Sequence, residues 1–448
     1  MILRRVLVAN RGEIAVRILR TCRSLGIESV LAVTGDDAGS LPARLADSVI
    51  GIGPAASYLD VAAVVGAARA AGADAVHPGY GFLSESPRLA RACEEAGLVF
   101  IGATAAQLET VGDKLAARAR AAAAGLPVAP GGPVTGAAQA GELAARIGWP
   151  VLIKAVGGGG GRGLRPVAGP AGLGRALEQA MAEARSAFGD DRVYLEQYVR
   201  RGRHVEVQLL GDGQHVIHLG DRDCSVQRRY QKLIEEAPAP LLGDGLRAEI
   251  RHAAVAFGRL IRYRGLGTVE FLVDVDDSSF FFLEMNARIQ VEHPVTEAVC
   301  GLDLVAEQIA VAEGRPLRLA QADVRLAGHA IECRIIAEDA PAGFRPSPGT
   351  VTRAVFPAGP GIRVDTHLQA GTPVPPGYDS LLAKVIASGR DRAEALGRLR
   401  GALACCEIDG VATTIGLHAA LTADPGFARG GADTGYLARF LDSEPVLR

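Results

Sequence analysis

Aromatic residues make up only 5% of this 448-residue chain, with a single tryptophan, and the formal net charge is just -2. A chain without a strong basic bias is not built to meet nucleic acid, which excludes DNA or RNA as the expected partner. No stretch reaches the roughly 20 consecutive apolar residues of a membrane span. The apolar run from Val6 to Ala9 is too short for the core of a signal peptide. Cys22, Cys93, Cys224, Cys300, Cys333, Cys405 and Cys406 are odd in number, scattered, and show no CxxC spacing. That pattern excludes a disulfide frame or a zinc ribbon and points to reduced thiols in the cytoplasm. Two nucleotide signatures are also missing. A dinucleotide fingerprint needs GxGxxG after the first strand, where only Gly12 stands, and the one long glycine run lacks the GK[ST] ending of a P-loop.

What is present is an ordinary globular composition, 48% apolar and 22% charged, long enough for about three domains. The first hundred residues alternate short apolar strands with amphipathic helices. Strands are expected at residues 4–9, Ser29 to Val33, Ala75 to His77 and Val99 to Ile101. Helices are expected at Glu13 to Leu25, Val61 to Ala71 and Pro87 to Ala96. Short links between them predict an open, mostly parallel α/β sheet. The segment His77 to Glu85 (HPGYGFLSE) follows a strand, where such sheets place ligands, and reads either as a binding loop holding Tyr80 or as a plain turn.

The most informative stretch is Phe280 to Glu297, FFFLEMNARIQVEHPVTE. After an aromatic strand, Glu284, Asn286, Arg288, Gln290 and Glu292 occupy every second position, and side chains two apart on an extended chain share a face. The preceding strand Thr268 to Asp274 predicts a hairpin. Pairing Asp274 with Phe280 would set Glu270 opposite Glu284, whereas a one-residue slip would send them to opposite faces. Opposed carboxylates repel and raise each other's pKa, and a divalent cation with oxygen ligands relieves both penalties. A surface hairpin with solvated glutamates is the bland alternative, but these strands are apolar.

Two further stretches carry chemistry. Pro150 to Gly163 (PVLIKAVGGGGGRG) places Lys154 on a strand that runs into five glycines. Ordering glycine costs the most backbone entropy, so such a run suits a main chain that approaches a ligand or moves, and we read it as a mobile flap over nucleotide phosphates rather than a linker. Gly112-Asp113-Lys114 opens a helix from which Lys114 could reach phosphate. Residues 222–240 (RDCSVQRRYQKLIEEAPAP) hold Arg222, Arg228, Arg229 and Lys232, either a solvated face or partners for phosphate and oxyanions. Helices are expected at Leu115 to Gly125, Gly301 to Glu313 and, closing the chain, Asp391 to Cys405. Strands are expected at Val193 to Val199, His204 to Leu210, Gly328 to Ile336, Val351 to Val355 and Gly361 to His367. On the strand Gly328 to Ile336, Arg334 alternates with Glu332, as a site pair or as a surface ion pair.

Together NRGEIAVRI, HPGYGFLSE, GDK, KAVGGGGGRG, RDCSVQRRYQK with EEAPAP, EMNARIQVEHPVTE, ECRIIAED, YDSLLAKVI and IDGVATTI resemble the biotin carboxylase family over nearly the whole chain. The resemblance implies a three-domain ATP-grasp fold of α/β and α+β class. Its parts would be an N-terminal open parallel α/β domain (1–112), an ATP-grasp domain (113–327) with a mobile glycine-rich lid (about 130–199), and a C-terminal carboxylase domain (328–448). It implies ATP- and bicarbonate-dependent carboxylation of biotin through carboxyphosphate, with Mg²⁺ or Mn²⁺, as the first half-reaction of an acyl-CoA carboxylase.

The same resemblance assigns residues. Lys114, Lys154, Gly159 and Gly160 would hold the nucleotide phosphates. Glu196, Gln197 and Val199 would form the adenine hinge, with His204, Gln227 and Leu272 among the other ATP contacts. Glu270, Glu284 and Asn286 would form the metal site. Arg288, Gln290 and the Val291 amide would hold bicarbonate, with Glu292 as base. Lys232 would stabilise the charged intermediate, and Arg334 the biotin enolate, with Tyr80 near the biotin ring. Planar bicarbonate suits a guanidinium fork. Three positions depart from the pattern. Tyr230 replaces a histidine, and Ile336 and Thr414 each replace an asparagine. The methionines Met1, Met181 and Met285 do not adjoin lysine, so biotin is expected on a separate carrier protein. The enzyme is expected to be a homodimer that works with a separate carboxyltransferase subunit.

Overall fold

The computed structural model of the chain describes residues 2–157 and 163–444. Gly159 and Gly160, assigned above to the nucleotide phosphates, lie outside the described residues.

Strands β1 (Arg5–Val8), β2 (Glu28–Thr34), β3 (Ser48–Gly53), β4 (Ala75–His77) and β5 (Val99–Phe100) form one parallel sheet in the order β3-β2-β1-β4-β5. Helix α1 (Gly12–Ser24) buries Ile14, Ile18, Leu19 and Cys22 against this sheet, and Gly26 turns the chain with a φ of +70°. β3 is the strand that the sequence pattern did not reveal, because it is mostly solvent-facing. The loop after β4 is tight. Gly79, at φ +63°, lies against the Asn10 amide, which donates to the carbonyls of Pro78 and Tyr80 at 2.7 Å, and a Cβ there would meet that amide at 2.8 Å.

Helix α2 (Lys114–Ala123) starts on Asp113, whose side chain accepts from the Ala116 amide, and its alanines make the helix inexpensive to form. A four-stranded antiparallel sheet follows, of β6 (Gly131–Val134), β7 (Val151–Ala155), β8 (Leu164–Val167) and β9 (Val193–Gln197), in the order β6-β9-β7-β8.

The largest element is an eight-stranded sheet. It contains β10 (Gly202–Asp212), β11 (Val216–Arg228), β12 (Gln231–Ala237), β13 (Arg264–Asp274), β14 (Phe280–Asn286), β15 (His329–Ile336), β16 (Ile362–Thr366) and β17 (Leu381–Gly389). Their order is β14-β13-β10-β11-β12-β15-β17-β16. This sheet joins the central and C-terminal parts of the chain through the β12–β15 pairing.

The hairpin β13–β14 corrects the expected register at its turn. Glu270 does oppose Glu284, and Thr268 opposes Asn286, but Phe280 pairs with Val273 rather than Asp274. Leu283 is the extra residue of a bulge between these two registers. A bulge sets two residues against one, so Phe280 and Phe282 join Phe271 in an aromatic cluster, with centroids 5.6 and 6.5 Å from it, while Glu284 turns to the other face with Glu270.

Other boundaries also differ. The chain is extended only to Asn286, so the extended alternation expected through Glu292 is cut short by a turn over residues 287–292, after which helix α3 (His293–Cys300) begins with Pro294 in its first turn. Gly301, at φ +70°, ends α3 rather than beginning a helix, and α4 (Leu304–Ala312) starts after Asp303, which caps it by accepting from the Ala306 amide. The helix α5 (Arg392–Ala404) does not close the chain: α6 (Ile415–Ala423) and two shorter helices follow. Among the described residues no helix is long and apolar enough to cross a membrane.

Candidate active site

Four strands align their polar side chains in one row. Glu284 opposes Glu270 across β14 and β13, Glu270 opposes Glu206 on β10, and Glu206 opposes Arg222 on β11. Directly opposed residues share a face, so three carboxylates run side by side and meet an arginine. Arg222 is fully buried and donates to Glu206 at 2.6 Å, Gln208 at 2.7 Å, Thr296 at 2.9 Å and Thr268 at 3.1 Å. The solvated-face alternative for this arginine is thereby excluded.

Lys232 on β12 reaches across the sheet. Its Nζ donates to Glu206 at 2.6 Å, Glu292 at 2.7 Å and Glu270 at 2.9 Å. Burial opposes its charge, yet the three carboxylates outweigh burial and hold its pKa well above the ordinary lysine range. Burial alone would raise the Glu270 carboxyl, but Lys232 and His204 hold it at about 2. His204 lies 3.2 Å from Glu270 and 3.5 Å from Glu206; burial disfavours its cation, Glu270 prevails, and its pKa rises to about 9. Ligating atoms of His204, Glu206 and Glu270 all lie within 4.8 Å of one another, but the Lys232 ammonium already serves both carboxylates as their cation.

Glu292 is fully buried at the start of α3, and both its oxygens are fixed: one by Lys232, the other by Arg334 Nη2 at 2.9 Å. Arg334 on β15 also donates its Nε to Glu235 at 2.6 Å. Burial, with Glu292 nearby, pushes the Glu235 carboxyl up to about 7 against the pull of Arg334. Arg288 is held on several sides, donating to Glu85 at 2.7 Å and to Asn286 and Gln290 at 2.9 Å. Asn286 and Gln290 in turn donate to Glu270 at 3.0 and 3.3 Å. The five alternating residues from Glu284 to Glu292 therefore do gather around one site, by a strand end and a turn rather than by a continuous pleat.

At the Glu284 edge, Lys114 Nζ lies 3.4 Å from the carboxylate. Lys154 on β7 donates to Glu196 at 2.9 Å; burial opposes its charge, but Glu196, Tyr194 and Glu284 raise its pKa. The Glu196 carboxylate also accepts from Arg118 at 2.6 Å, so it is satisfied within the protein. Gln197 is exposed and its amide donates to Pro130, while Val199 is half-buried just beyond β9. Leu272 is the register partner of His204, and Gln227 that of Lys232. Tyr80 donates its hydroxyl to Glu13, and its pKa is raised by burial and by Glu13, with Arg334 near enough to oppose the shift.

The three departures have clear placements. Tyr230 and Arg229 form the two-residue turn of the β11–β12 hairpin, at φ +66° and +49°, and the Tyr230 pKa is raised mainly by burial, with Lys154 near enough to oppose the shift. Ile336 and Thr414 face each other. The Ile336 amide donates to the Thr414 hydroxyl at 3.0 Å, and the Thr414 amide donates to the Ile336 carbonyl at 3.1 Å.

Several site residues escaped the reading of the sequence. Glu206 had a signal, since His204, Glu206 and Gln208 alternate on β10 as Glu284 and Asn286 do on β14. Glu13, Glu85, Glu235 and Lys384 stand in the motifs NRGEIAVRI, HPGYGFLSE, EEAPAP and YDSLLAKVI, but no periodicity marked them individually.

The chain matches three family models along its length. Residues 2–108 match "Biotin carboxylase, N-terminal domain", residues 113–320 match "Carbamoyl-phosphate synthase L chain, ATP binding domain", and residues 332–439 match "Biotin carboxylase C-terminal domain". The biotin carboxylase of Pseudomonas aeruginosa is 48% identical over 446 residues, covering 98% of this chain and 99% of that protein. This chain belongs to the biotin carboxylase family. Another relative, biotin carboxylase 1 of Bacillus subtilis, is 46% identical over 98% of this chain and 99% of its own length. The biotin carboxylase domain dimer of Hydrogenobacter thermophilus 2-oxoglutarate carboxylase, solved with MgADP, ADP and bicarbonate, superposes with a TM-score of 0.96 at 43% identity, covering 100% of this chain and 99% of that one. The fold is therefore the ATP-grasp fold of biotin carboxylases.

Proposed function

We propose that this chain carboxylates biotin at the expense of ATP and bicarbonate, forming carboxyphosphate, with the biotin carried on a separate protein. The observation that carries the assignment is the meeting of Glu292 with Lys232 and Arg334 beside the carboxylate row Glu284, Glu270 and Glu206. Arg288, Gln290 and the Val291 amide hold bicarbonate, and Glu292 takes its proton so that its oxygen attacks the γ-phosphorus and ADP leaves. The base needs to stand within hydrogen-bond reach of that proton, and the clamp on both Glu292 oxygens limits where it can stand. Lys232 then meets the charge of the intermediate; as the C–O bond of carboxyphosphate breaks, the departing phosphate takes the N1′ proton, Arg334 meets the charge of the resulting biotin enolate, and N1′ takes the carboxyl group, with Tyr80 beside the ring. Most of the rate enhancement in such a site is positioning and charge stabilisation.

Mg²⁺ or Mn²⁺ fits the oxygen donors Glu270 and Glu284, with Asn286 beside them, and supplies neutralisation of the triphosphate when bound. Glu284 is half-buried, with Lys114 at 3.4 Å and the like charge of Glu270 opposite it, a repulsion that a cation relieves. Lys114, Lys154 and the glycine flap are assigned to the phosphates, Glu196, Gln197 and Val199 to the adenine, and His204, Gln227 and Leu272 to the rest of the nucleotide. The family matches support domains at 1–112, 113–327 with a lid at about 130–199, and 328–448. The partners assigned are a carrier protein, a second copy of the chain and a separate carboxyltransferase, in the cytoplasm.

ADP release with ATP, Mg²⁺, bicarbonate and free biotin tests this. Release that needs both bicarbonate and biotin is the expected result. Release that ignores biotin would instead assign the chain to another ATP-dependent carboxylate ligase.

A further inference from the structure

Lys384 on β17 is completely buried. Its Nζ donates to the Val291 carbonyl at 3.0 Å and lies 3.0 Å from Glu13 and 3.7 Å from Asp365. On the neighbouring strand its register partner is Arg334. Two cations directly opposed across a ladder repel, and burying an ammonium costs several kcal/mol that well-packed apolar residues would avoid. The arrangement persists because each cation has its own carboxylates: Glu235 and Glu292 for Arg334, Glu13 and Asp365 for Lys384.

The two cations grip consecutive residues. Arg334 holds the Glu292 carboxylate, and Lys384 holds the carbonyl of the peptide that joins Val291 to Glu292. A peptide unit is planar, so fixing that carbonyl also orients the Glu292 amide and Cα. Glu13, which also accepts from Tyr80, brings a third segment into the same contact, so one ammonium ties helix α1, the bicarbonate turn and the C-terminal strands. We propose that Lys384 is a positioning residue for Glu292: its ammonium sets the orientation of the 291–292 peptide and thereby the place of the base. The inference rests on the reading of Glu292 as base.

The test compares full-length wild type, Glu13→Gln, and Glu13→Gln combined with Lys384→Met, which removes the lysine without leaving Glu13 charged and alone. The single variant keeps an acceptor for Lys384 and is the reference against which removal of the lysine is read, so that any effect of Glu13 on Tyr80 is common to both variants. In the double variant kcat is expected to fall about a hundredfold and the KM for bicarbonate to rise, with the KM for ATP within about threefold of wild type, since misplacing a reacting group by an ångström has that cost. A folded double variant with kcat near that of Glu13→Gln overturns the proposal. So does a double variant that does not fold while Glu13→Gln does, because the lysine would then serve stability alone. An inactive wild type defeats the functional reading itself and this inference with it.

Discussion

At one end of the eight-stranded sheet, β14, β13 and β10 present Glu284, Glu270 and Glu206; toward the other end, β12, β15 and β17 present Lys232, Arg334 and Lys384. Each set would be costly in isolation, since buried charges of one sign repel and lose their hydration. One buried histidine records the acidic end, and a second shows burial alone. His204, beside Glu270, is raised to about 9 despite burial, whereas His418, behind Arg334, is lowered to about 4 because burial outweighs its bond to the Arg334 carbonyl. The lesson is that the site belongs to the continuous sheet. Arg222 and Lys232 neutralise Glu206 and Glu270 within the central strands, whereas Arg334 reaches Glu292 from β15, which pairs with β12.

The comparison breaks most sharply at Glu292, where both sets meet. Glu292→Gln should lower biotin-dependent ADP release by about 10²- to 10⁴-fold, the range for a lost general base. Nucleotide binding, followed by fluorescence titration, should change little. Next is the neutraliser of the acidic end. Arg222→Met leaves Glu206 buried with one cation fewer and should destabilise the protein by about 3–5 kcal/mol in urea unfolding. The exposed pair Arg353 and Glu407 provides the contrast, since Arg353→Met should cost under about 1 kcal/mol.

The smallest effect concerns pH. His418 titrates at about 4 when folded against an ordinary 6.5, so between these values the unfolded chain binds the extra proton. Its contribution to stability is complete above pH 6.5 and is lost as pH falls toward 4. His418→Gln, which keeps a donor for the Arg334 carbonyl, should reduce the slope of stability against pH in that window by up to about 1.4 kcal/mol per pH unit, the value for one proton. An unchanged acid limb would remove the contrast between the two histidines.

The acidic end was legible because a pleat has a period of two, and FLEMNARIQVE writes polar residues onto that period. The parallel N-terminal sheet was legible for a similar reason, since its strands and helices have distinct apolar periods. Glu206 carried the same signal and needed only to be followed across to β13. Helix α3 was hidden because EHPVTE is short and carries no clear apolar period, and only Pro294 marked a helix start. The motifs around Glu13, Glu85 and Lys384 were visible but their partners were not: each acquires its partner from a segment 67 to 371 positions away, through docking that no local pattern encodes. The motifs shared with the biotin carboxylase family supplied what periodicity could not, the roles of Lys232 and Arg334.

The bulge at Leu283 lets Phe282 and Glu284, two positions apart in the chain, lie on opposite faces of the hairpin. Deleting that one residue would leave an unbroken ladder, with Phe282 still opposite Phe271 and Glu284 still opposite Glu270. The hairpin should therefore tolerate loss of Leu283 better than an exchange of Phe282 with Glu284, which keeps the length but puts a carboxylate among the aromatic rings.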